Sequence, residues 1–189
     1  MTYKAPVEDI LFALEEVVAI DQLKADGAFA ELSPDLTRAI LEEAAKLAEN
    51  VLAPLNRVGD KEGARIGNDG VKTATGFAEA YAQFRDGGWQ GIGFSEEWGG
   101  QGMPKPVALA VQEMIHSANM AFGLCPMLTF GAIEALTAHG SDELRALYLP
   151  KLVTGQWTGT MNLTEPQAGS DVGALRSKAE PMPDGTYRI

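Results

Sequence analysis

Apolar residues recur at three- and four-residue intervals through most of the first 155 positions of this 189-residue chain. That period is the period of an α-helix, so most of the chain has to fold by packing helix faces together. Val7, Ile10, Leu11, Leu14, Val17 and Val18 mark a first helix. Ser33-Pro34-Asp35 opens a second: the Ser33 hydroxyl can accept from an orphan N–H, and Pro34 fits the first helical position. The pattern Leu36, Ile40, Leu41, Ala44, Leu47, Ala48, Val51, Leu52 follows, and Pro54 is expected to kink or end it. A third helix is expected from Thr75, through Phe77, Tyr81 and Phe84, to Gly87-Gly88. Helical spacing returns over Val107–Ala118, over Met127–Ala138, and over Asp142–Val153, with Ser141 as cap and Gly155 as stop.

Between these stretches the signals are those of turns. Asn68-Asp69-Gly70 reads as the turn of a small hairpin between Ile66 and Val71. Residues 89–103 hold five glycines and read as a loop. Past Gly155 the pattern changes to strand. Gln156 to Leu163 is rich in β-formers, a second strand is expected over Leu175–Ala179, and Asp184-Gly185 turns into a third at Thr186–Ile189. Three short strands with an open edge make a poor sheet, so the fold is expected to continue beyond Ile189. No internal repeat and no low-complexity tract is visible.

Composition narrows the classes of function. The chain holds 15 Lys and Arg against 26 Asp and Glu, a net charge of −11. The acidic excess lies wholly in the first 150 residues, with 11 basic and 22 acidic side chains; the remaining residues carry four of each. A nucleic-acid binder shows a basic face, and none is apparent, so no nucleic-acid partner is expected. With 46% hydrophobic and 22% charged residues the chain reads as globular rather than disordered. No apolar run approaches the roughly 20 residues of a membrane span, and residues 1–10 lack the apolar core of a secretory signal. No membrane span and a cytoplasmic location are therefore the expectations. The single cysteine, Cys125, excludes an intramolecular disulfide and a Cys-rich zinc site; its apolar setting suggests a buried structural thiol.

Phosphate-binding loops of the Gly-x-Gly-x-x-Gly and Gly-x-x-x-x-Gly-Lys-[Ser/Thr] types are absent. His116 and His139 lie too far apart for a helical metal pair, and no metal ligands are expected. His139 beside Gly140 suits a helix C-terminus, where a cation is favoured. The informative segment is Met161 to Asp171. A strand delivers Thr164 to a turn that Pro166 stiffens and Gly169 opens to close approach by a ligand. Thr164 and Ser170 set two hydroxyls among free backbone N–H groups, a neutral donor set able to hold a diphosphate. The same residues also read as a β-turn with polar filler.

Leu163-Thr164-Glu165-Pro166-x-Ala168-Gly169-Ser170-Asp171 closely resembles the flavin-binding signature of the acyl-CoA dehydrogenase family. Other segments agree. Ser95-Glu96-Glu97-Trp98-Gly99-Gly100-Gln101-Gly102 is similar to the family's Pro-Glu-x-Tyr-Gly-Gly-x-Gly loop, with Ser95 and Trp98 as departures. Tyr148-Leu149-Pro150-x-Leu152-x-x-Gly155 is similar to the segment that leads into the family's middle domain. Tyr3-Lys4-Ala5-Pro6-Val7 and Ser117-Ala118-Asn119-Met120-Ala121-Phe122 further resemble the subgroup containing 3-methylmercaptopropionyl-CoA dehydrogenases.

The resemblance implies a mainly α chain. Residues 1–156 correspond to the family's N-terminal α-helical domain and 157–189 to the first strands of its middle β-domain, with the C-terminal helical bundle absent. It implies FAD as cofactor and oxidation of an acyl-CoA to its trans-2-enoyl-CoA. In the family a carboxylate base removes the α proton while the flavin accepts hydride from the β carbon. That base belongs to the absent bundle, so no catalytic residue is expected here and the chain alone is expected to be inactive. Met161, Leu163 and Thr164 are expected to line the flavin, and Gly169 and Ser170 to sit by its pyrophosphate. Ser170 is also expected near the CoA part of the substrate, and Met120, Ala121 and Phe122 beside the acyl pocket. Glu165 is expected to serve the turn rather than act as base. Implied partners are an acyl-CoA substrate, an electron-transfer flavoprotein as acceptor, and further copies of the full-length chain in a homo-oligomer. The alternatives are a non-catalytic helical module that binds a partner, and an acyl-CoA oxidase or flavin monooxygenase relative.

Overall fold

The computed structural model describes residues 3–25, 29 and 32–189. Eight α-helices are described: α1 (Val7–Phe12), α2 (Ile20–Ala25), α3 (Pro34–Leu47), α4 (Ala53–Glu62), α5 (Phe77–Asp86), α6 (Lys105–Ala118), α7 (Met120–His139) and α8 (Asp142–Val153). Two antiparallel hairpins accompany them, β1 (Arg65–Gly67) with β2 (Gly70–Lys72), and β3 (Glu180–Pro181) with β4 (Tyr187–Arg188).

Several of these boundaries follow directly from side-chain chemistry. The Ser33 hydroxyl accepts from Leu36 N–H at 3.0 Å and the Ser141 hydroxyl from Leu144 N–H at 3.3 Å, each satisfying a donor that the first helical turn leaves open. The hairpin at Asn68-Asp69-Gly70 forms as expected, with Ile66 opposite Val71. Helix α5 stops at Gly87-Gly88.

Pro54 does not end its helix. A π-helical turn over Ala48–Leu52 joins α3 to α4, and Pro54 sits in the first turn of α4. The wider turn moves the preceding carbonyls away from the proline ring, which has no N–H to offer them. The first helix likewise widens into a π-helical turn at Ala13–Val17, and Val17 and Val18 are exposed rather than packed.

The largest core lies where α3, the π turn, α5, α6 and the start of α7 meet. Leu41, Leu52, Phe84, Val111 and Met114 are fully buried there, and Ala44 and Ala48 let the helices approach closely. Phe122 reaches down into a cluster with Phe77, Tyr81 and Phe84, its ring 5.7 Å from that of Phe84 in an edge contact. A smaller core of Ile133, Leu149, Leu152 and Val153 joins α7 to α8 and takes in Phe94 and Trp98 from the loop after α5. That loop is tied to itself through its backbone. Gly100 N–H donates to Ser95 O, Gln101 N–H to Gly91 O, Gly102 N–H to Phe94 O and Met103 N–H to Ile92 O, all between 2.9 and 3.0 Å.

Helices α6 and α7 form a hairpin that turns at one residue, Asn119. Its backbone N–H donates to Ile115 O, closing α6, and its side-chain Oδ1 accepts from Phe122 N–H at 3.1 Å, opening α7. Its Nδ2 donates to Leu52 O at 3.1 Å, at the end of the π turn, and the residue is 1% exposed.

Helix α7 begins seven residues before the Met127 expected from the sequence and carries Pro126 in its interior. It has 20 residues, and an 18-residue stretch of it has a mean hydropathy of 1.4, so by length and composition alone it passes for a membrane-spanning helix. Its glycine, threonine and alanine content breaks up any continuous apolar run, which is why the linear pattern hid it. It packs against α4, α6 and α8 in this fold. Cys125 is exposed on α7, not buried: its apolar neighbours Leu124 and Met127 are themselves exposed, so that side of the helix is left uncovered among the described residues.

The stretch 156–163 forms no strand, and Leu175–Ala179 is not a strand either; the β3–β4 hairpin follows it. β-Formers take up ladder geometry only beside a partner strand, and none lies next to 156–163 among the described residues.

Two outcomes are expected from equilibrium urea unfolding. Asn119→Ala removes two buried hydrogen bonds and is expected to cost about 2–3 kcal/mol. Gln90 is fully buried, and neither side-chain polar atom has a protein partner. Gln90→Met replaces that amide by an apolar chain of similar shape and is expected to raise stability by about 1–2 kcal/mol.

Candidate functional site

The segment with the signature leaves α8 in three anchored steps. Gly155, at φ +71°, ends the helix, and the Tyr81 hydroxyl donates to its carbonyl at 2.9 Å. Trp157 N–H donates to Lys151 O at 3.0 Å, and the Lys151 ammonium lies 4.3 Å from the centre of the Trp157 ring, a cation–π contact. Gly159 N–H then donates at 3.0 Å to the hydroxyl of Thr129 on α7, which itself donates to Cys125 O. Thr129 is fully buried. The chain passes so close to α7 here that a Cβ at Gly159 would stand 2.6 Å from the Ala132 methyl, so only glycine fits.

Beyond this anchor the residues singled out in the sequence become exposed. Met161 is 56% and Leu163 45% exposed, and Thr164, Gly169 and Ser170 are also exposed. Met161 and Leu163 present apolar surface. Among the described residues, no hydrogen bond engages the backbone N–H groups of Met161, Leu163, Thr164, Gly169 or Ser170. The segment therefore offers apolar contact followed by neutral donors and two hydroxyls, the donor set that suits a flat aromatic ring carrying a diphosphate.

Glu165 closes the turn between these two parts. Its backbone pairs with that of Ala168 in both directions, at 2.9 and 3.0 Å. Its carboxylate accepts from Arg176 N–H and Ser177 N–H, each at 2.9 Å, and from the Gln167 amide. Hydrogen bonds from Ser177 and from the Arg176 backbone hold its pKa down to about 2. A carboxylate so occupied and so acidic is a poor proton acceptor, and its place is in the turn.

Met120 and Phe122 are not gathered to this segment. Met120 is exposed in the first turn of α7, about 16 Å along the helix axis from Gly131, the α7 glycine beside the Met161 methyl. Phe122 is 4% exposed inside the aromatic core.

The concavity near the segment is made by other residues. Loop residues Gly93 and Phe94 cover the groove between antiparallel α6 and α7, enclosing about 260 Å³ lined by Lys105, Ala108, Leu109, Gln112, Phe130 and Glu134. Phe94 and Phe130 stack obliquely, 5.3 Å between ring centres. A Cβ at Gly93 would come within 2.9 Å of the Ala108 methyl, so the loop backbone rests directly on α6. Lys105 Nζ donates to Glu134 at 2.9 Å across the groove. The trough and the Met161 contact occupy adjacent positions of α7, Phe130 and Gly131. The helical hairpin makes this pocket: a turn at Asn119 sets Leu109 level with Phe130, and Lys105 level with Glu134. His139 stands in the last turn of α7, and the Nδ1 of His116 lies 2.7 Å from Gln112 O; neither meets the segment.

The Glu165 bonds give a pH dependence of definite sign. The folded pKa is depressed, so the stabilisation is fully present above the ordinary carboxylate range near 4.5 and is lost as pH falls from there toward 2. Amide exchange at Arg176 and Ser177 is expected to accelerate across that window, once corrected for intrinsic rates, and to lose the dependence in Glu165→Gln.

The sequence profile of the acyl-CoA dehydrogenase N-terminal domain matches residues 34–156. The 3-methylmercaptopropionyl-CoA dehydrogenase of Ruegeria pomeroyi is 51% identical over 189 residues, covering all of this chain and 32% of that protein. The broad-specificity linear acyl-CoA dehydrogenase FadE5 of Mycobacterium tuberculosis is 34% identical over 191 residues, covering 99% of this chain and 31% of the relative. Among solved structures, a glutaryl-coenzyme A dehydrogenase in complex with glutaryl-CoA superposes with a TM-score of 0.69 at 28% identity, over 81% of this chain and 37% of that one. The chain thus spans about a third of the length of the curated relatives it matches. The helical fold, the signature on its anchored segment and these likenesses agree: the chain belongs to the acyl-CoA dehydrogenase family.

Proposed function

We propose that this chain supplies the N-terminal part of an FAD-dependent acyl-CoA dehydrogenase that converts an acyl-CoA thioester into its trans-2-enoyl-CoA. The observation that carries the reading is the placement of the flavin signature. Its exposed donors begin two residues after the Thr129–Gly159 anchor.

In this reading Met161 and Leu163 lie against the flavin ring and Thr164 donates at its edge. Gly169 and Ser170 hold the pyrophosphate through N–H and hydroxyl groups, and Ser170 also approaches the CoA portion. FAD, when bound, supplies the acceptor for the hydride leaving the β carbon. The chain's own task is to position the ligands: Glu165 stiffens the loop between ring and pyrophosphate. Glu165 is held in the turn, and the proposal assigns the α-proton base to the remainder of the enzyme. Met120, exposed in the first turn of α7, borders the acyl pocket in this reading, and Phe122 shapes it from beneath through the packing of α7.

The acyl-CoA substrate, an electron-transfer flavoprotein as acceptor, homo-oligomeric assembly of the whole enzyme, the division at 156/157 and a cytoplasmic location belong to the same proposal. A lone cysteine is compatible with a reducing compartment. The neutral donor set accounts for how an acidic protein binds two anionic ligands, since N–H groups and hydroxyls act locally while the net charge acts at a distance.

The test is expression of this chain together with the coding sequence downstream of it. The product is expected to carry a flavin spectrum that bleaches anaerobically on addition of an acyl-CoA, and Thr164→Val is expected to weaken flavin binding about tenfold. The 189-residue chain alone is expected to give no turnover. An extended protein without flavin, or one that no acyl-CoA bleaches, would remove the proposal; rapid reoxidation by oxygen would move it to the oxidase class.

A further inference from the structure

We propose that the outer face of residues 1–33 is a docking surface for a downstream segment of the full-length protein, a segment that shorter members of the family lack. The inference needs the family assignment but neither flavin nor acyl-CoA.

Residues 1–33 lie outside the family profile, which starts at Pro34. What is described of them is fixed to the body of the fold. Ile10, Leu11 and Leu14 are buried in the largest core, and Ile20 and Leu32 pack with Val107 of α6. Glu49, in the π turn after α3, accepts from Lys4 Nζ at 2.6 Å and from Ala5 N–H at 3.0 Å. Arg38 on α3 pairs with Glu8 through both of its terminal nitrogens.

The outer side of this platform is apolar. Val18 N–H donates to Ala13 O at 2.9 Å, a bond that spans five residues instead of four. The wider turn brings Val17 over Phe12 and Val18 over Ala13, where a regular α-helix would align residues three and four apart. Phe12 is 63% and Val17 75% exposed, and Ala13 and Val18 are exposed beside them. Single exposed apolar side chains are ordinary. A phenylalanine and two valines gathered by a π turn, on an element anchored from its other side, make a patch of the kind that marks an interface. Asp9, Glu15 and Glu16 are exposed around it, so the cover that suits it is a run of apolar residues flanked by Lys or Arg.

The lengths of the relatives point to the source of that cover. Four curated relatives match 95–100% of this chain, a span that has to include most of residues 1–33. The matched part is 30–32% of each, so each is about 600 residues long. Four others match only 52–67% of this chain, and the matched part is 24–33% of proteins about 400–450 residues long. A match that takes in the N-terminal platform thus goes with about 150–200 additional residues outside the matched region. A surface added at one end of the sequence and a segment added elsewhere in the same proteins fit one another as the two halves of an interface.

The experiment uses the full-length protein, this chain together with its downstream coding sequence, with the photo-cross-linker p-benzoylphenylalanine in place of Phe12. Irradiation is expected to join position 12, within one chain, to downstream residues that have no counterpart in the shorter relatives. Mass spectrometry is expected to find those residues beside Lys or Arg. In the unaltered full-length protein, hydroxyl radicals are expected to oxidise Phe12 at least about fivefold more slowly than after unfolding in urea, a reading that needs no replaced residue. Four results each overturn the proposal: a downstream sequence that ends within the length of the shorter relatives, a link from position 12 to a second copy or to residues those relatives share, no link, or oxidation of Phe12 at the unfolded rate. None of these readouts uses flavin, so a full-length protein that binds no FAD defeats the dehydrogenase reading and leaves this comparison intact.

Discussion

Most of this fold hangs on what one buried amide does at Asn119. A helical hairpin with no loop leaves the end of one helix and the start of the next facing each other, both with unmet backbone groups. Asn119 answers two of these needs through its own N–H and Oδ1, and its Nδ2 goes to Leu52 O on a different helix. The third bond fixes where the α6–α7 hairpin sits against the α3–α4 rod. It also gives the π turn at Ala48–Leu52 a function, since a widened turn directs a carbonyl out of the helix toward such a partner. Phe122, three residues on, is delivered to Phe77, Tyr81 and Phe84 by the same bond. The register of α6 against α7, and with it every pair that faces across the trough, follows from this one turn.

From that turn a chain of dependence leads to the site. The register places Thr129 with its hydroxyl inward and Phe130 and Glu134 toward α6. Thr129 holds Gly159, and Gly159 starts the run to the signature residues. The exposed donors of 161–170 are thus attached to the rigid part of the molecule by one hydroxyl, one close glycine contact and the Trp157–Lys151 clasp. Glu165 supplies rigidity from the other side by gathering the Arg176 and Ser177 amides.

Legibility in the sequence divided along physical lines. Features whose cause lies within a few residues were readable: the serine caps at 33 and 141, the Asn68-Asp69-Gly70 hairpin, the glycine stops, and the signature itself, which is local. Features that need a distant partner were not. The β-formers of 156–163 read as a strand because propensity carries no information about whether a neighbour strand is present. Cys125 read as buried because its neighbours are apolar, yet those neighbours are exposed too. Pro54 read as a kink or an end, whereas a π turn absorbs it. The trough was invisible because Phe94, Lys105, Leu109, Phe130 and Glu134 come from three elements. Only the hairpin register, set by an asparagine with nothing in the linear pattern to mark it, brings them together.

The segment between α5 and α6 has a further consequence for how such a molecule can change. Seven backbone hydrogen bonds within residues 91–103 make it a brace, with Phe94 and Trp98 pressed into the α7–α8 core. A connection of this kind is closed to insertion or permutation: a lengthened backbone loses its internal bonds and lifts the roof off the trough. The β1–β2 hairpin is the opposite case, with every residue from 65 to 72 exposed and no side chain built into a core. Variation in length, or a grafted tag, therefore has a natural home at Asn68-Asp69. Diversification of the pocket is left to point changes on α6 and α7, made beneath a lid whose shape stays constant.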